Sequence, residues 1–308
     1  MPTFDVVLHT SEGSFRGNAQ QEWVLSPPVT DRVLLAPGLW LGQIPSHLAS
    51  RLMNTCEPTP LGVAKQETFF AQCYCYVRKL PDTAELRPHC WDQDYRLSNC
   101  VGVSRLIHPT TVGFRYAARI RHDDAPESVN IVPAEIRGMS IDGFVSPTRK
   151  RSWLTKPEAE QLAELVKKAE PLKKPDFPAR VSRAFWYFDY AQRTYYADLR
   201  WTLIVTALEA LIHTGTKHST RHFTKRVPTL ASDVGTHPLT EAEASAAWDF
   251  RSRLSHGDGF LYSLPNADVV LYDNLEDTLR LAILKAFLEP SFAEVFTDDA
   301  YITKRWPA

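Results

Sequence analysis

Between residues 179 and 288 apolar side chains recur at helical spacing in one segment after another, and this periodicity limits the fold more than any other feature. Ala179 to Arg193 carries Val181, Phe185, Trp186, Phe188 and Tyr190; Asp198 to His213 carries Leu199, Leu203, Ile204, Leu208 and Leu211. Faces this broad are buried by other helices, not by a single neighbour. A shorter helix is predicted from His218 to about Ala231, bent or ended by Pro228. Thr240-Glu241-Ala242-Glu243 is a capping box that starts the next helix, which stops at His256 before Gly257 and Gly259. Asn274 is expected to cap a last long helix over Leu275 to Leu288, followed by a short helix and tail. Four long helices with modest connections predict an up-and-down bundle over residues 178–308.

Residues 1–150 read differently. Short apolar runs bounded by Gly, Pro and Ser predict strands at Thr3–Leu8, Glu22–Leu25, Arg32–Leu35, Phe69–Leu80, Asn99–Ile107, Thr111–Arg121 and Val129–Val132, with a short helix at Pro45–Met53. The expected class is therefore α+β, a β-rich N-terminal domain followed by a helical bundle. Residues 151–177 join the two parts: Thr155-Lys156-Pro157-Glu158 caps a helix to about Ala169, and a proline-rich stretch follows.

The net charge of −1 excludes a wholesale polyanion binder, so any nucleic-acid site must be a local patch. No apolar run of membrane-spanning length exists, and the N-terminus lacks a charged-then-apolar leader, so no membrane partner and a cytoplasmic location are expected. The five cysteines, Cys56, Cys73, Cys75, Cys90 and Cys100, suit reduced thiols. Cys73 and Cys75 with His89, Cys90, Cys100 and His108 offer the residue types of a metal centre, but Cys73 and Cys75 alternate with aromatics along a strand and read better as core residues. No metal and no other cofactor is expected.

The chemistry concentrates in Trp248 to Gly259, WDFRSRLSHGDG. Arg251 and His256 lie ~140° apart on an ideal helix, so they share a site only if the last turn frays or a second copy supplies the partner. Imidazole moves protons near neutral pH, and a guanidinium, always charged, holds a phosphate with a planar fork of donors. Ser252, one turn before His256, is placed to orient the imidazole, and Arg253 to grip a flanking phosphate. Glu209 is expected to set the geometry of Arg251 or His256, or else to serve the bundle as an ion pair with Arg226 or Arg251. A second basic stretch, HTGTKHSTRHFTKR, holds Lys217, Arg221, Lys225 and Arg226 with His213, His218 and His222, and no acid occurs between Glu209 and Asp233. Such a local excess predicts an RNA footprint. His218 and His222 have metal-compatible spacing, but no carboxylate nearby completes a site.

The order of an aromatic helix, ADLRWTLIVTALEALI, a basic helix with FTKRV, WDFRSRLSHG and a long apolar helix resembles a HEPN domain of the ApeA-like branch. The likeness covers residues 178–290; its most specific pieces are Ala207 to Leu211 and Arg251 to Gly257. It implies a homodimer in which two R-x4-H motifs face each other, and metal-independent RNA cleavage. It further implies a bacterial role in anti-phage defence or growth arrest, with the N-terminal region binding a trigger molecule or selecting substrate. Active members of the family often carry Asn, Asp or His after the Arg, where this chain has Ser252. That departure favours the alternative of a catalytically silent HEPN module that binds RNA or a protein partner. A purely structural bundle with a chance motif fits the ALEALI and LSHG context least.

Overall fold

The computed structural model describes residues 3–12, 33–36, 39–42, 75–81, 102–107, 112–121, 129–133, 156–169, 177–194, 196–257 and 266–308, and most of these are helical. They belong to two compact units, residues 1–140 with 150–167, and residues 141–149 with 168–308.

In the first unit, β1 (Thr3–Glu12), β2 (Val33–Ala36), β3 (Leu39–Gly42), β4 (Cys75–Pro81), β5 (Val112–Arg121) and β6 (Val129–Pro133) form one six-stranded sheet in the order β2-β3-β4-β1-β5-β6. Every pairing is antiparallel. β1 is central, held by β4 on one side and β5 on the other, with a register shift between His9 and Thr10 on the β5 side. β2, read from the sequence as a short apolar run, alternates as a strand does, with Val33 and Leu35 buried and Leu34 65% exposed.

The strand expected over Asn99–Ile107 is corrected, because residues 102–107 form a short helix, α1. A short apolar run fits either state by periodicity alone, and here Val103 and Leu106, three apart, are both fully buried. The predicted Glu22–Leu25 strand, the Pro45–Met53 helix, the first part of Phe69–Leu80, and Cys73, His89, Cys90, Cys100 and His108 lie outside the described residues. α2 (Lys156–Ala169) buries Ala159, Leu162 and Leu165 along one stripe.

The second unit is a helical bundle of α3 (Ala179–Arg193), α4 (Ala197–Ile212), α5 (Ser219–Val234), α6 (Glu241–Ser255) and α7 (Asn266–Leu288). It ends in α8 (Pro290–Glu294), a 3₁₀ turn (Val295–Thr297) and α9 (Asp299–Arg305). α4 is the central element, in contact with α3, α5, α6 and α7. That position explains a sequence apolar nearly all round, with Trp201, Ile204, Val205, Ala207, Leu208, Leu211 and Ile212 buried. Trp201 joins three helices: its indole N–H donates to the Ala247 carbonyl of α6 at 3.1 Å, and its ring meets Phe250 at 4.7 Å and Tyr272 of α7 at 6.0 Å.

Two helix boundaries differ from the sequence reading. α5 does not stop near Ala231; it runs through Pro228 to Val234, and Gly235 closes it in the left-handed region. α7 begins at Asn266, eight residues before the expected cap, so Asn274 is a mid-helix residue whose carbonyl accepts from Thr278. Burial of Tyr272 and Asp273 against the bundle extends the helix upstream of its local capping signal. The α6 start agrees with prediction. Thr240 Oγ1 accepts from the Glu243 N–H at 3.2 Å, and the Glu243 carboxylate accepts from the Thr240 N–H at 2.8 Å. That cap fixes the register in which α6 delivers its last two turns.

Candidate functional site

α6 places Trp248, Arg251 and Ser252 on its inner side and leaves Arg253 and His256 exposed. The Trp248 ring rests on Phe223 of α5 at 5.2 Å, and the Arg251 guanidinium lies over the Trp248 ring at 5.1 Å. This cation–π seat aims Arg251 at α4, where its Nη2 comes within 3.6 Å of a Glu209 carboxylate oxygen. Both side chains are about a quarter exposed. The contact is an ion pair, longer than a hydrogen bond, so the guanidinium fork keeps its donors for another acceptor. Arg251 Nε is buried without a hydrogen-bond partner. Of the two partners weighed for Glu209, the structure selects Arg251. Trp248 is a positioning residue that sequence reasoning took as merely apolar; its i, i+3 spacing to Arg251 was the available signal.

His256 is the C-cap residue of α6, with its backbone N–H donating to the Ser252 and Arg253 carbonyls at 3.1 Å each. Gly257 follows with φ of +83°, a left-handed stop that a side chain would strain. The imidazole is exposed. Within one chain it makes no hydrogen bond or ring contact with Arg251, and the Ser252 hydroxyl does not hydrogen-bond to it, so the orienting role expected of Ser252 is not made in this arrangement. Arg253 lies over the Phe250 ring at 5.4 Å and points to solvent.

The basic stretch splits when seen in space. Arg226 is corrected from a candidate RNA contact to a buried structural residue, 2% exposed. Its guanidinium donates to the Ile212 carbonyl at 2.7 Å and Thr214 Oγ1 at 2.9 Å, capping the otherwise open C-terminal end of α4. Lys225 is exposed but ion-paired with Glu241 at 2.7 Å. The acid that the chain lacks locally is thus supplied by another helix. Arg221 is exposed and donates to the Ala308 backbone oxygen at 3.1 Å, while Lys217 is exposed. His213 and His222 meet Nδ1 to Nδ1 at 3.2 Å, with the His218 ring 6.4 Å from His222. Burial lowers the His222 pKa, helped by the positive charge of Arg226 and the other two imidazoles. Among the described residues no three His, Cys, Asp or Glu side chains are placed to share a metal ion, and no helix is long and apolar enough to cross a membrane.

A cleft of about 450 Å³ opens between α3 and α4 beside Glu209. Arg180, Arg183 and Tyr187 line its α3 side, residues that sequence reasoning passed over because only the apolar half of α3 was followed. Their i, i+3 and i+7 spacing marks a second, polar face. Comparison of the chain with protein-family models, with curated proteins and with solved structures finds no match.

Proposed function

We propose that the chain is a metal-independent endoribonuclease of the HEPN type, acting as a homodimer. Residues 178–308 are read as its up-and-down catalytic bundle, and residues 1–150 as a β-rich domain that binds a trigger or selects substrate. The observation that carries the reading is the Arg251 guanidinium, seated on Trp248 and held toward Glu209 with donors to spare, on the same helix that ends at an exposed His256. RNA brings its own nucleophile. One imidazole takes the 2′-hydroxyl proton as the 2′-oxygen attacks phosphorus, and a second delivers a proton to the departing 5′-oxygen. Arg251 stabilises the charge that builds on the phosphorane oxygens. The ion-pair and ring contacts of Arg251 are to Glu209 and Trp248 and not to His256, in keeping with a site completed across a twofold axis by a second copy. Arg253, Lys217 and Arg221 are the exposed cations proposed to meet flanking phosphates. The setting proposed is the bacterial cytoplasm, in anti-phage defence or growth arrest.

The second reading, a silent module that binds RNA or a partner, draws on Ser252, whose hydroxyl leaves the imidazole unoriented. One experiment separates the two: full-length protein, total RNA and EDTA, wild type beside His256→Ala. Cleavage leaving 2′,3′-cyclic phosphate ends, reduced on the order of 10²–10⁴-fold by the substitution, is the expected result. Activity that survives His256→Ala unchanged, or that needs Mg²⁺, overturns the proposal.

A further inference from the structure

The cleft beside Glu209 has the chemistry of a nucleotide seat. Its α3 wall offers Arg183, exposed and without a hydrogen-bond or ion-pair partner among the described residues, and one turn on Tyr187, part-buried. Its α4 wall offers Thr206, Glu209 and His213. Arg180, also in the lining, is committed elsewhere, donating to the Ala210 and His213 carbonyls and to Asp299. Among the described residues that leaves one free cation beside one aromatic ring, the pair that single-stranded nucleic acid uses for its phosphate and its base. The exposed face of α3 continues this chemistry, since Trp186 and Tyr190 beside the cleft are 58% and 59% exposed. Glu209 connects the cleft to Arg251, because the carboxylate that lines one is the ion-pair partner of the other.

We propose that this cleft binds a nucleotide of single-stranded RNA next to the one cut at Arg251 and His256, with Arg183 on its phosphate and Tyr187 stacked on its base. The inference rests on the ribonuclease reading for the identity of the strand, but the seat itself is a binding site and is tested as one. A base on Tyr187 fixes the register of the strand, so the cleft decides which linkage reaches Arg251. Stacking accepts any base, and the seat therefore selects single-stranded over paired RNA more than one sequence over another.

The test measures binding of a fluorescein-labelled single-stranded RNA of mixed sequence to full-length His256→Ala protein by anisotropy. Adding Arg183→Ala is expected to weaken binding about tenfold and to lower the salt slope by about one. Tyr187→Ala is expected to weaken it by a similar factor, on the order of tenfold, while Tyr187→Phe keeps the ring and stays within about twofold. Lys304→Ala, an exposed cation in the lining of a different pocket, should leave binding unchanged. Thermal melts confirm that each variant remains folded. Unchanged binding in both alanine variants overturns the proposal, as does absence of RNA binding by the parent. A shift from dimer to monomer without weaker RNA binding also overturns it and assigns the face to a second copy. Cleavage by wild type is read separately. RNA held through the cleft but never cut removes the ribonuclease reading and leaves the seat; RNA cut normally by Arg183→Ala and Tyr187→Ala does the reverse.

Discussion

The central helix α4 carries two arginine–carboxylate associations, nine residues apart and therefore on roughly opposite sides. Near its start, Arg200 is 2% exposed and lies over the Tyr272 ring at 5.8 Å, among Asp273 and Glu276 of α7, themselves 7% and 6% exposed. Burial acts against the Arg200 charge, but Tyr272, Glu276 and Asp273 outweigh it and hold the guanidinium protonated above its ordinary range. Glu276 is further held by the Gln192 amide of α3. Near the end of α4, Glu209 meets Arg251 at 3.6 Å with both side chains reaching solvent. Residue types alone do not separate these two places. The first is dry and closed, its opposite charges buried beside one another, although Arg200 Nε, like Arg251 Nε, has no hydrogen-bond partner. The second is open, loosely paired and bordered by a cleft. A charge held in a folded protein at low occupancy of its donors is available to a ligand, and one sealed among partners is not.

The contrast predicts a graded response to removing charge. The largest effect is expected at Arg200. Arg200→Ala leaves two buried carboxylates uncompensated and should cost ~3–5 kcal/mol, read as a fall in the denaturant midpoint. Removing one of the two carboxylates with it, Arg200→Met with Glu276→Leu, should recover part of that loss, because the cost lies in unpaired charge and not in lost packing, while Asp273 still lacks its counter-charge. A double variant as unstable as the single would mean that α4 and α7 depend on the ion network itself.

Asp233 at the end of α5 gives an intermediate case and sharpens the scale. It accepts from Arg305 at 2.7 and 2.9 Å and from the Trp306 indole at 3.1 Å, tying the C-terminal segment to the bundle. Asp233→Ala should cost ~1–3 kcal/mol, since it strands a charged donor and an indole N–H. The hydrogen bond from Arg305 leads in holding the Asp233 carboxyl below its ordinary range, although burial acts the other way. A depressed folded pKa means stability that is present above the unfolded value of about 3.9 and lost as pH falls through the folded one. Thermal melts of wild type and Asp233→Asn should therefore converge below about pH 4. Parallel curves across that range would show that Asp233 carries no linkage.

How much of this was legible in the sequence follows from the range over which each signal acts. The helices of the bundle were readable because their apolar period runs over many turns, and the α6 start because a capping box is local. The end of α5 and the start of α7 were not, since the stop signal of Pro228 and the capping signal of Asn274 are overridden by burial of Leu230 and Tyr272. Arg251 and His256 were legible as a motif. Their seat was not: Trp248 and Glu209 join Arg251 only once α4 and α6 pack. The basic stretch misled for the same reason. Nothing along the chain distinguishes Arg226, which caps α4 from inside, from Lys217, which faces solvent.

The smallest change in stability is expected at a residue whose loss should cost much of the activity. Arg251→Ala removes a cation–π contact with Trp248 and an ion pair at 3.6 Å, both partly open to water and worth at most about 1 kcal/mol together. Against that, it releases a buried Nε that has no hydrogen-bond partner, a group whose desolvation works against the fold. The two contributions nearly cancel, so the denaturant midpoint should stay within about 1 kcal/mol of wild type, in either direction. Sites kept for chemistry commonly show this pattern, because their charges are arranged for a ligand and not for the protein. RNA cleavage by the same variant should fall on the order of 10²–10³-fold through lost charge stabilisation, and Arg251→Lys should restore little of it, since a point charge lacks the planar fork. A midpoint loss approaching that of Arg200→Ala would make the Glu209–Arg251 pair a second structural tie, and the distinction between the two sides of α4 would fail.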